Sequence, residues 1–307
     1  MTQRLATTGG RPGRDAPAST AAAARTTRLG VGLGVVLAAL LLASLPWTVR
    51  DFWDARPDAA RYLLAARSLA AGDGYTVMGE PFRLRPPGFS ALLAPLVAWR
   101  GFDFALLNAF VSVVGVVAVV LLYALLLPRV GAVVAFATAL VVWLNPQLQA
   151  LVNQVLSDVP GLALALAALL VLRRANARRS WQSEVALGIA LAAAAYVRSA
   201  NLLLVPALLL DRTLGRPSRR APEEMLARFA ALRLVLPLAV LGVLYLPWIA
   251  QPSYSSQYDS PDLHSYATAF LRTDPNDPGA APLGAAQWLA RLGRNAVAYA
   301  GIFASGM

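Results

Sequence analysis

The chain has 307 residues, of which 58% are hydrophobic and 14% charged, and its mean hydropathy is +0.56. That balance leaves too little polar material to solvate the surface of a soluble domain of this size, so the apolar residues must face lipid. The formal net charge of +11 comes from arginines in short clusters between apolar runs, a positive-inside pattern that needs no nucleic-acid partner, and the lack of Cys excludes disulfides, thiolate catalysis and Cys-ligated metals.

In chain order, residues 1–28 are rich in Ala, Thr, Gly and Pro and read as a disordered cytoplasmic tail. Leu29 to Val49 supplies about 20 apolar residues, which at 1.5 Å rise match a bilayer core of roughly 30 Å. No small-x-small cleavage site is clear at Ala43-Ser44-Leu45-Pro46, so this stretch reads as a retained anchor rather than a cleaved leader. Further apolar runs near 102–127, 130–144, 159–172, 185–197, 200–210 and 234–250 predict a helical transmembrane module over 29–250 with about seven spans. Counted from a cytoplasmic N-terminus, the Arg173, Arg174, Arg178, Arg179 cluster and the Arg212, Arg216, Arg219, Arg220 cluster both fall inside. Segments 50–101, 145–158 and 251–307 then lie outside. The fold class is all-α integral membrane, a polytopic helical bundle with extracytoplasmic surface helices in the first and last outer loops.

The first outer loop is the richest in signals. Apolar residues at 59, 62, 63, 66 and 69 mark one face of an amphipathic helix that starts near Asp58 and ends at Gly72-Asp73-Gly74. An Asp at that place is either an N-cap or a functional carboxylate, and spacing does not separate the two. Arg61 and Arg67 read as the solvated or headgroup face of this helix. Downstream, Pro86 and Pro87 force extended backbone just after Arg85 and hold its guanidinium near the membrane face. Asp158, before Val159-Pro160, has the same double reading as Asp58. Arg198 lies between two apolar runs, where a charge is either functional or snorkels to the interface. His264, in a polar loop, reads as a surface residue, and Trp53, Trp99, Trp143 and Trp248 as interfacial aromatics.

Asp58, Tyr62, then Ala-x-x-Leu-x-x-Gly-x-Gly-Tyr and Arg85-Pro86-Pro87-Gly88 together resemble the first extracytoplasmic loop of the GT-C glycosyltransferases. The similarity is to the bacterial branch of aminoarabinose, galacturonic acid and protein O-mannosyl transferases. Asn145-Pro146 with Ser157-Asp158-Val159-Pro160 resembles the family's second acidic motif, Tyr196 to Asn201 its Arg-containing helix junction, and Phe270 to Gly279 with Arg291 to Asn295 its large outer loop. Two departures stand out. Ala59 replaces the second carboxylate that many relatives carry, and relatives continue through further membrane helices where this sequence stops, so it reads as a C-terminally truncated member.

The resemblance implies a multi-pass inner-membrane enzyme that inverts configuration while moving a sugar from a polyprenyl-phosphate donor to an acceptor hydroxyl of a lipid, glycan or protein at the outer face. It implies Asp58 as general base, Arg85, Arg198 and Arg272 as donor-phosphate ligands, and Tyr62 and Asp158 as positioning residues. Asp158 and Glu80 are the candidate ligands for a divalent metal ion, which two scattered carboxylates alone do not diagnose. The alternatives are a transporter or lipid flippase, for which the expected inverted repeats are lacking, and a catalytically inactive membrane subunit.

Overall fold

The computed structural model describes residues 16–214, 223–250, 272–274 and 280–304. His264 and the cluster of Arg216, Arg219 and Arg220 lie outside the described residues. Helix makes up 80% of the structure, and the two-residue strands β1 (Thr76–Val77) and β2 (Glu80–Pro81) form one antiparallel hairpin, so the protein is all-α and polytopic.

Helix α1 (Ala16–Thr48) begins upstream of the expected boundary, and its Arg28–Thr48 portion is long and apolar enough to cross a membrane. So are α4 (Phe104–Val130) and the Leu232–Ile249 part of α10 (Glu223–Ile249). Between them lie α2 (Pro57–Ala71), α3 (Gly88–Arg100), α5 (Ala132–Leu144), α6 (Pro146–Leu151), α7 (Asp158–Arg178), α8 (Trp181–Val197) and α9 (Leu204–Leu214), with α11 (Ala285–Ala304) last. Each expected apolar run coincides with a helix. Several are shorter than a bilayer: the 13 residues of α5 rise only about 20 Å, so neighbouring helices must cover its ends.

Two clusters of buried side chains hold the bundle. The larger joins Leu37 and Leu41 of α1, Tyr62 of α2, Phe89 and Leu93 of α3, Leu107 and Val111 of α4, and Trp143 of α5. The smaller joins Ala168 of α7, Leu187 and Leu191 of α8, Leu208 of α9, and Leu241 and Tyr245 of α10. Between the clusters, α7 packs on α4 and on α8, and α8 packs on α10. The loop leaving α1 is tied down by polar side chains: Asn108 Nδ2 donates to the Arg50 carbonyl at 2.9 Å and to that of Phe52 at 3.0 Å. Asn153 Nδ2 donates to Thr48 O at 2.9 Å.

Helix α3 is a second helix within segment 50–101, beyond the amphipathic helix that the spacing marks at Asp58. Its apolar residues pair with α2 to make a helical hairpin, in which the Tyr62 ring meets the Phe89 ring edge-on with centroids 5.0 Å apart. The hairpin rests on the end of α8, and Gly88 allows the approach: a Cβ there would lie 2.6 Å from the Tyr196 carbonyl carbon and oxygen. At the opposite end of α8, Glu184 is 1% exposed and pairs with Arg212 of α9 at 2.8 Å and with Arg233 of α10 at 3.5 Å. These two ion pairs bind three helices together.

Candidate functional site

Asp58 is not a cap. The N-cap of α2 is Arg56, which makes no side-chain cap bond, and Pro57 occupies the first helical position. Asp58 therefore sits one residue inside the helix, where the helix dipole favours a carboxylate. Its Oδ2 accepts from Arg85 Nη2 at 2.8 Å and its Oδ1 from Arg61 Nη1 at 3.4 Å. Arg61, expected on the solvated face, is instead partly buried in this ion pair. Arg85 is held through its backbone: the Tyr75 hydroxyl donates to the carbonyls of Arg85 and Pro86 at 3.0 and 3.2 Å.

Tyr62 lies one turn beyond Asp58, on the same face of α2. Its hydroxyl is 3.0 Å from Ser157 Oγ, and its carbonyl accepts from Ser90 Oγ at 3.1 Å. Burial pushes the phenol pKa up, and the Ser157 hydrogen bond and the nearby Arg85 and Arg198 cations offset this only in part. The phenol thus keeps its proton at neutral pH.

Asp158 is not a cap either. Ser157 occupies the N-cap position of α7 without a side-chain cap bond, and Asp158 is the first helical residue. The Asp158 Oδ2 pairs with Arg198 Nη1 at 2.8 Å, and the same nitrogen donates to Ser157 Oγ at 3.5 Å. Arg198 stands where α8 ends, in extended backbone with φ −150 and ψ 115. Asn201 fixes this junction by donating from Nδ2 to the carbonyls of Gly161 and Ala194, each at 3.0 Å. Gly161 leaves room for the arginine stem, because a Cβ there would come within 3.0 Å of Arg198 Cβ and Cδ.

Two carboxylate–arginine pairs, Asp58–Arg85 and Asp158–Arg198, are thus joined by the Tyr62–Ser157 hydrogen bond. Five residues singled out in the sequence, Asp58, Tyr62, Arg85, Asp158 and Arg198, converge at one end of the bundle. Of the two others, Glu80 lies in the β hairpin opposite Val77, and Arg272 bridges to Pro282 with its Nη1 donating to the Ala280 carbonyl at 3.3 Å. Ser157 was missed as a participant, because a Ser before a helix ordinarily signals only a cap. Among the described residues no group of three or more His, Asp or Glu side chains could cage a metal ion, and Asp158 already faces a guanidinium. Among the described residues this donor set falls short of a divalent-ion site.

The chain is a polytopic helical membrane protein whose paired acidic and arginine side chains gather beside its first inter-span loop, and its family match defines it as a membrane glycosyltransferase of GT-C type. The family of dolichyl-phosphate-mannose-protein mannosyltransferases matches residues 84–245, just over half the chain, and the protein belongs to that family. The match takes in Arg85, Ser157, Asp158 and Arg198 and begins after Asp58, Tyr62 and Glu80. No curated protein and no solved structure matches the chain.

Proposed function

We propose that the protein transfers a sugar from a polyprenyl-phosphate donor to an acceptor hydroxyl at the extracytoplasmic face of the inner membrane, with inversion, its N-terminus lying in the cytoplasm. The observation that carries this reading is the convergence of one candidate base and two cations: Asp58 and Arg85 from the first loop, and Arg198 across the Tyr62–Ser157 contact. In the reaction the acceptor oxygen attacks the anomeric carbon from the face opposite the phosphate while its proton passes to the Asp58 carboxylate. The bond between the anomeric carbon and the phosphate oxygen breaks, and the electron pair leaves with polyprenyl phosphate, whose charge becomes one unit more negative. General-base assistance of this kind contributes about 10²- to 10⁴-fold.

The new phosphate charge needs cationic partners, and a guanidinium can hold two phosphate oxygens at once. Arg85 and Arg198 are the proposed partners, and Arg272 is the third candidate. In the free protein each of the first two is neutralised by a carboxylate, so donor binding exchanges a carboxylate for a phosphate and leaves Asp58 free to accept a proton. The family's name makes a mannosyl donor and a protein hydroxyl the first combination to try. The test is an assay of purified protein in detergent or vesicles for release of polyprenyl phosphate from polyprenyl-phosphate mannose, with and without acceptor. Release that depends on acceptor supports the reading, and no release from any polyprenyl-phosphate sugar defeats it.

A further inference from the structure

Ser157 is 3% exposed and stands at the start of α7, yet its hydroxyl bonds nothing in that helix. It lies instead 3.0 Å from the Tyr62 hydroxyl and 3.5 Å from Arg198 Nη1. A guanidinium can only donate, so Ser157 Oγ is the acceptor from Arg198 and has a proton and a second lone pair left for the phenol. The first turn of α7 therefore seats Arg198 in three ways: the Asp158 carboxylate at 2.8 Å, the Ser157 hydroxyl, and the open space at Gly161. The first two differ in kind. Asp158 is an anion and competes with any phosphate for the guanidinium. Ser157 is neutral and can keep its bond to Arg198 without reducing the charge offered to the ligand.

We infer that Ser157 is a positioning residue for the donor phosphate: its hydroxyl holds the Arg198 guanidinium towards the phosphate and, through Tyr62, sets the spacing between that cation and the Asp58 carboxylate. This rests on the donor reading above. Asp58 and Tyr62 are one helical turn apart on α2 and Arg198 ends α8, so the Ser157 hydroxyl is a polar link between the base-bearing and cation-bearing elements.

The test is the binding of a short-chain polyprenyl phosphate to the purified full chain in detergent. Ser157→Ala should raise the Kd about tenfold, the effect of losing one hydrogen bond to a charged group, and Ser157→Thr, which keeps the hydroxyl, should restore it. In an Arg198→Gln background Ser157→Ala should add little, because the group it orients is gone. Ser157→Ala also leaves a buried phenol without its partner, so the same substitution is made together with Tyr62→Phe, which removes the orphaned hydroxyl, and should show the same loss. Unchanged affinity in Ser157→Ala overturns the inference. So does an equal loss with Arg198 already replaced, or recovery of affinity in the double variant. A wild-type chain that binds while Ser157→Ala is silent defeats this inference alone. A wild-type chain that binds no polyprenyl phosphate defeats the donor assignment and the inference with it.

Discussion

Replacing Asp58 by Asn removes a proton acceptor while changing almost no volume, and the geometry sets what else it can do. Because Arg56 is the N-cap of α2 and makes no side-chain bond, no cap is lost. The Asp58 side chain is 36% exposed and that of Arg85 22% exposed, so their ion pair is worth roughly 0.2–1 kcal/mol after solvent screening. Losing a carboxylate from the first turn of the helix costs a further ~0.3–1 kcal/mol. A total of about 0.5–2 kcal/mol lowers the melting midpoint by only a few degrees in a chain of this size, and leaves the protein folded. Loss of the base lowers kcat by about 10² or more, which so small a stability change cannot produce. Arg85, released from its carboxylate, should bind the donor phosphate as tightly as before or more tightly. The assay is donor-saturated transfer by the full-length protein, alongside the Kd for polyprenyl phosphate and the thermal midpoint. Near-normal kcat in folded Asp58→Asn protein would refute the assignment of Asp58 as the base and leave it as a partner for Arg85 and Arg61.

Three further predictions follow from the packing. An impermeant maleimide added to intact cells should label Met78→Cys, a residue 82% exposed at the turn of the β hairpin in the first outer loop, and should not reach Arg178→Cys at the end of α7 opposite Asp158; the reverse pattern overturns the proposed orientation. Gly88→Ala drives a methyl group to 2.6 Å from the Tyr196 backbone, so the hairpin of α2 and α3 should shift off α8 and transfer should fall at least tenfold with little change in membrane insertion; wild-type turnover would show that the contact is dispensable. Glu184→Ala leaves the Arg212 and Arg233 guanidinium groups without their shared carboxylate, a loss of about 3–5 kcal/mol, read as a fall in the thermal midpoint of the detergent-solubilised protein; a cost below about 1 kcal/mol would mean that these arginines reach water.

The membrane class and the order of the helices were legible in the sequence because they depend on local hydropathy, which each segment carries by itself. The turn at Gly72-Asp73-Gly74 and the break at Arg198 were legible for the same reason: glycines and a charge between apolar runs interrupt a helix wherever they occur. Helix α3 was not, since a short apolar run holding Pro95 and following two prolines resembles a loop until α2 is there to cover it. The roles of Asp58 and Asp158 stayed divided between cap and functional group. An acidic residue before a helix satisfies both descriptions, and only the positions of Arg56 and Ser157 as the true N-caps removed the first.

What the sequence determined by itself was therefore which residues carry charge into a lipid-facing chain. What only the tertiary structure decided was which of those charges meet. Arg85 is 27 positions from Asp58 and Tyr62 is 95 from Ser157 along the chain, separations at which no periodicity constrains contact. The pairing depends on how α2 and α3 settle onto the ends of α7 and α8. Glu184 shows the same dependence at the far end of α8: in the sequence it is one acidic residue near basic ones, and the approach of α9 and α10 makes it a buried carboxylate shared by two arginines. A charge in a lipid-facing chain must be paired, hydrated or able to reach the interface. Hydropathy marks where that requirement arises, and only the packing of distant helices supplies the partner that meets it.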